Sequence, residues 1–165
     1  MDQKLKAFLD LIAYSEGTSL IKLPDANEGY GVLVTGVNGP ATFSDYSTHP
    51  NILVTVRENP LLQSTAAGRY QLLYRWFHPY CDQLGLNDFS PESQDAIAVQ
   101  QIRERHAVAM IETGDVEGAI IACSNIWASF PGNSYGQGGR SMADLLSHYQ
   151  SFYSAGGLYA VAAGQ

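Results

Sequence analysis

One stretch near the start of the chain puts a carboxyl group where it could do acid–base chemistry. Leu5, Phe8, Leu9 and Ile12 recur at i, i+3, i+4 and i+7, the spacing of a helix with one buried face. Glu16 follows Ile12 by one more helical step, so at about 100° per residue it falls on the same stripe. Gly17 is a natural helix stop. A carboxyl carried onto a packed face loses hydration, which disfavours its charged form and raises its pKa. A general acid working near neutral pH needs that shift. The competing reading is a Glu that reaches solvent because helix ends fray, and the spacing leaves both readings open.

The remaining reactive side chains form no second centre. Cys81 and Cys123 make no disulfide framework and no Cys-x-x-Cys motif. His49, His78, His106 and His148 are scattered without metal-ligand spacing, so neither a metal nor another cofactor is expected. A nucleophile built on Cys81 and His78 lacks an orienting third group. The ten tyrosines suit a sugar-binding cleft, though they serve equally as partly buried core.

A chain of 165 residues with 45% hydrophobic and 15% charged residues is a single globular domain. Its net charge of −7 excludes a basic nucleic-acid-binding face and electrostatic attachment to anionic membranes. No signal-peptide core opens the sequence, and its apolar runs, such as Ala107 to Ile111, are too short to insert into a membrane. The expectation is a monomer made in the cytoplasm.

The elements that must position Glu16 follow from the pattern. A helix is expected over 2–16. A small β lobe over about 17–59 is built from Tyr30–Thr35, a return strand near Thr42–Ser44 and a third extended segment at Ile52–Val56. A helical lobe over 60–157 begins with a helix from Gly68 to Leu84, which Pro79 should break or kink. The Ser90-Pro91-Glu92 start signal opens a helix running to Glu112, and Asp115 caps the next. Residues 129–139 read as a loop, 141–154 as the last helix and 158–165 as a tail. Trp76 and Trp127 are expected in the core. The fold class is α+β, mainly helical, with a cleft between the lobes.

Several blocks resemble the phage lambda endolysin family, lytic transglycosylases of the lysozyme-like superfamily. They are Lys6–Asp10, Ser15–Thr18, Asp45–Ser47 with His49-Pro50, Ser64-Thr65, Gly68–Leu73, Gln83–Leu86, Asp88–Pro91, Ser93–Ala96, Cys123–Ser129, Pro131-Gly132 and Tyr135–Gln137. The resemblance covers nearly the whole chain. It implies a lysozyme-like fold and cleavage, without water, of the β-1,4 bond between N-acetylmuramic acid and N-acetylglucosamine in peptidoglycan, leaving 1,6-anhydro ends. Glu16 matches the family's catalytic glutamate, which must donate a proton and later accept one. Gly68–Gln71 resembles a Gly-x-x-Gln block, implying sugar contacts for Gln71 and Tyr70. Tyr135 and Gln137 match one lip of the cleft, and Ser64 and Asn125 lie in matching blocks. The implied partners are glycan strands, reached in the periplasm after release through a separate holin.

Two departures leave Glu16 untouched: Pro79 is unexpected within its block, and the segment at Arg57-Glu58 is longer than the family pattern, which would alter one lip of the cleft. The alternative chemistry is a hydrolytic muramidase, which generally needs a second carboxylate. Asp25 stands at a spacing from Glu16 that resembles hydrolytic phage lysozymes, but their following Thr is here Gly31. A non-catalytic wall-binding virion component is the alternative of another class. Asp45 reads as a turn anchor.

Overall fold

A computed structural model describes residues 1–132 and 139–156. Helix α1 (Gln3–Ser15) starts where Asp2 accepts hydrogen bonds from the Lys4 and Leu5 amides at 2.9 and 3.4 Å. The chain continues through two 3₁₀ turns, Thr18–Leu20 and Asn27–Gly29, to strands β1 (Val54–Arg57) and β2 (Leu62–Ser64). Five helices follow: α2 (Tyr74–Leu84), α3 (Pro91–Glu104), α4 (Ala107–Thr113), α5 (Val116–Cys123) and α6 (Met142–Ser154).

The described residues divide into two compact units. One comprises Met1–Glu16 with the described chain from Ala98 onward. In it α1 packs on α6 and α4, and α5 packs on α4 and α6. Phe8, Leu11, Ile12, Ile111, Ile120 and Leu145 are fully buried there. The Phe8 ring meets Phe130 edge-on at 6.0 Å, and Phe130 meets Trp127 at 6.2 Å. The other unit is Gly17–Ile97. Its core gathers Leu33, Ala67, Leu72, Phe77, Phe89 and Ile97. His49 is buried against Phe89 at 4.8 Å, with its Nε2 on the Leu72 carbonyl at 2.8 Å, and desolvation lowers its pKa. Cys81 and Cys123 are both buried free thiols.

The sheet is smaller than the β-branched runs suggest. Tyr30–Thr35 forms no strand: Val32 and Leu33 make single bridges to Thr42 and Ala67. Turns crowd this segment, where the Gly31 amide bonds the Ala26 carbonyl at 3.1 Å. The third extended segment is real, shifted to Val54–Arg57, and pairs antiparallel with Leu62–Ser64. Helix α2 begins six residues later than expected because Gly68 (φ 80°) and Gln71 (φ 54°) adopt left-handed conformations. Pro79 lies inside α2 without ending it. The expected long helix from Pro91 breaks after Glu104, where His106 turns left-handed at φ 56°, and resumes as α4. Asp115 does cap α5, accepting the Gly118 amide at 3.0 Å. Trp127 is buried, but Trp76 is 48% exposed on the outer face of α2, a correction to its expected core position.

Because Phe8 is fully buried and edge-packed on Phe130, Phe8→Ala should lower unfolding free energy by about 3–5 kcal/mol. Chemical denaturation, with an unchanged m-value, checks this.

Candidate active site

Glu16 is the residue at which α1 ends. Its amide still bonds the Ile12 carbonyl at 2.8 Å, and Gly17 turns the chain away in the left-handed conformation at φ 79°. The side chain therefore leaves from a rigid turn. It is half-buried, open enough to line a pocket of about 690 Å³ together with Ser15, Ala128, Ser129, Arg140 and Asp144.

Two hydroxyls hold the carboxyl. Ser129 Oγ donates to Glu16 Oε1 at 2.5 Å, and Ser15 Oγ donates to Ser129 Oγ at 2.9 Å. Desolvation raises the Glu16 pKa, and the hydrogen bonds from the Ser129 side chain and backbone pull it part of the way back. The negative end of the α1 dipole, which also disfavours a carboxylate, lies at the same place.

A cluster of aromatic and paired charged side chains forms the adjoining wall. The Arg140 guanidinium lies over the Tyr14 ring at 3.8 Å and donates to the Tyr14 hydroxyl at 3.0 Å. His148 stacks on the same Tyr14 ring with centroids 3.8 Å apart. The Tyr14 hydroxyl donates to Asp144 Oδ2 at 3.1 Å, and Arg140 approaches that oxygen at 3.9 Å. Asp144 stands in the first turn of α6, whose N-cap Ser141 accepts the Asp144 amide at 3.2 Å.

The other residues singled out in the sequence lie as follows. Asn125 is exposed just beyond α5, in the same unit as Glu16. Tyr135 and Gln137 fall outside the described residues. In the Gly17–Ile97 unit, Tyr70 is buried and donates its hydroxyl to Asp95 Oδ1 at 2.7 Å, an oxygen that also accepts the Tyr30 hydroxyl at 2.8 Å. Gln71 is half-buried and donates its amide to the Gly68 carbonyl at 3.0 Å. The glycine of that block meets an internal demand: a Cβ on Gly68 would stand 2.2 Å from Gln94 Oε1. Ser64 is half-buried at the end of β2, accepting the Ala66 amide at 3.1 Å. Asp25 is exposed with φ 63°. Asp45 accepts the Ser47 amide at 2.9 Å, as a turn anchor does.

Sequence reasoning singled out Glu16 but missed Ser15, Ser129, Arg140 and Asp144 around the pocket. Ser15 and Ser129 stood only inside matching blocks, and no spacing rule links them across 114 residues. Among the described residues no group of three His, Cys, Asp or Glu side chains could hold a metal ion. None of the described helices is long and apolar enough to cross a membrane.

A carboxyl with a raised pKa stands at a helix end over an open polar pocket in a mainly helical chain with one small sheet, and the chain's match to solved structures places this protein among the lysozyme-like folds. The structure superimposes on bacteriophage lambda lysozyme complexed with a chitohexasaccharide with a TM-score of 0.83 and 51% identity, covering 92% of this chain and 94% of that one. The endolysin of Escherichia phage lambda is 52% identical over 157 residues, 95% of this chain and 94% of its own length. The endolysin of Escherichia phage P2 is 47% identical over 160 residues, 94% of each. The endolysin family model matches residues 6–158. The chain belongs to the endolysin family.

The Glu16 environment has a consequence for stability. Since the folded pKa is raised, protonation of Glu16 favours the folded state. That contribution is intact below the ordinary value of 4.5 and is lost as pH rises through the raised one. Glu16→Gln, uncharged and still able to accept from Ser129, should therefore raise Tm above wild type at neutral pH. Thermal melts across pH should show the difference closing below pH 4.5.

Proposed function

We propose that this endolysin is a peptidoglycan lytic transglycosylase. It cleaves the bond between N-acetylmuramic acid and N-acetylglucosamine without water, with Glu16 as the single acid and base. The observation that carries the reading is one carboxyl whose pKa desolvation raises, yet that hydroxyl and amide donors stabilise when ionised. Glu16 gives its proton to the bridging oxygen as the C1–O bond breaks. The carboxylate then takes the proton of the muramic 6-hydroxyl while that oxygen bonds C1. The products are a free 4-hydroxyl on one side and a 1,6-anhydro ring on the other, with Glu16 protonated again.

The solved relative's complex with a chitohexasaccharide supports a β-1,4-linked amino-sugar strand as the ligand class. Gln71, Tyr135, Gln137, Ser64 and Asn125 remain the proposed substrate contacts, and Tyr70 is proposed to support them. Buried Tyr70, with its hydroxyl on Asp95, would act by shaping the backbone around Gln71. The protein would work as a monomer in the periplasm, released by a separate holin.

One observation bears on the hydrolytic alternative. The second carboxylate lining the pocket is Asp144, not the sequence candidate Asp25. Asp144 is engaged by the Tyr14 hydroxyl and Arg140, which hold it in the wall and away from the role of a base that activates water.

Mass analysis of digested peptidoglycan in ¹⁸O-water should show 1,6-anhydro ends free of label. Labelled reducing muramic ends would assign hydrolysis instead. Glu16→Gln should lose on the order of 10²–10⁴ of the lytic rate, and undiminished clearing of purified walls would leave a binding protein rather than an enzyme. Because turnover starts with Glu16 protonated, the wild-type rate should fall as pH rises past the raised pKa.

A further inference from the structure

The direction of the hydrogen bonds around Glu16 is set by counting protons. When Glu16 is ionised its carboxylate can only accept, so in that state the 2.5 Å contact carries the Ser129 hydroxyl proton to Oε1. With its one proton committed, Ser129 Oγ can meet Ser15 at 2.9 Å only as acceptor, so Ser15 is the outer donor. The chain is polarised along its length, Ser15 to Ser129 to Glu16, and each link strengthens the next. Ser15 is held on the last turn of α1, one residue before Glu16, whereas Ser129 comes from the segment after α5. The two ends of the relay thus belong to one rigid turn, and Ser129 is the part that reaches across.

We propose that Ser129, oriented by Ser15, is a positioning residue that keeps Glu16 usable in both of its protonation states. Resting on the acid–base reading of Glu16, it works in two ways. In the ionised state the Ser129 hydroxyl stabilises the carboxylate against its desolvated surroundings, so the second half of the cycle has a base. In the protonated state the Ser129 proton already points at Oε1, so the transferable proton sits on Oε2. Placing it on Oε1 would set two protons against each other, or force both serine hydroxyls to reverse. The charged groups sharing the pocket, Arg140 and Asp144, face each other at 3.9 Å, and Tyr14 and His148 are tied into the same cluster. Among the described residues, that pairing leaves the hydroxyl relay as the local control on the carboxyl.

The test compares Ser129→Ala, Ser15→Ala and Ser129→Thr in the full chain, by direct ¹³C NMR titration of the Glu16 carboxyl and by the pH profile of wall lysis. Loss of a donor to the ionised form removes stabilisation of the carboxylate, so the Glu16 titration should move to higher pH in Ser129→Ala and move less far in Ser15→Ala. The alkaline limb of the rate profile should follow it, with a rate at neutral pH lower by about tenfold, the size of a hydrogen bond to a charged group. Ser129→Thr, which keeps the hydroxyl, should bring both back toward wild type. An unchanged Glu16 titration in Ser129→Ala and Ser15→Ala overturns the proposal, as does a rate loss equal at every pH. A titration that moves while the rate profile stays still upholds the relay and instead removes Glu16 from the acid–base role.

Discussion

A carboxyl group at the C-terminal end of a helix, stripped of much of its water, is the constraint on which the rest of its unit depends. Burial and the negative end of the helix dipole both work against ionisation there. Such a group is tolerated only if the backbone beneath it cannot rotate it back into solvent. Here the backbone is α1, buried on every side from Ala7 to Ala13 and packed on α4 and α6. Gly17 supplies the left-handed exit that lets the chain leave without unwinding the last turn. The hydrophobic stripe and the terminal glycine thus have a chemical consequence as well as a structural one.

The last turn of α1 is fixed by a second device. Tyr14, two residues before Glu16, is held between the Arg140 guanidinium and the His148 ring, each 3.8 Å away, and its hydroxyl is anchored on Asp144. A cation over one ring and a stacked imidazole make the aromatic a clamp joining α1 to α6. The chain that leads into α6 also passes close to Ser129, since a Cβ on Gly139 would stand 2.4 Å from the Ser129 carbonyl oxygen. The segment bearing Ser129 and the segment bearing Arg140 therefore lie against each other.

The readable parts of the fold are those whose signals are local. Periodicity and caps predict α1 to within a residue at either end, along with the Asp115 cap and the last helix from Met142. The errors arise where tertiary contacts overrule local preference. Tyr30–Thr35 has strand composition but lies among tight turns, and the helix-like run from Gly68 is held non-helical by two left-handed residues. Trp76 sits among apolar neighbours in sequence yet outside the core, because periodicity names a face without saying what covers it. The same asymmetry divides the site. Glu16 is visible because its position depends on neighbours in one helix. Ser129 is not, because its function depends on a contact that only folding creates.

The pocket's two carboxylates show how environment separates roles that residue type leaves identical. Asp144 meets a cation and a phenol, partners that hold an anion in place and use its lone pairs. Glu16 meets a neutral hydroxyl and an amide in a desolvated setting, partners that permit an anion without enforcing one. A group that must release a proton and take one back within a single turnover is best served by the second arrangement, because neither state is too deep a well. An inverting hydrolase needs a second carboxylate free to work on water from the opposite side of the sugar, and a retaining one needs a free nucleophile. Asp144, tied to Tyr14 and Arg140, is in neither position. One adaptable carboxyl beside one committed carboxyl fits the proposed reaction, whose nucleophile is the sugar's own hydroxyl.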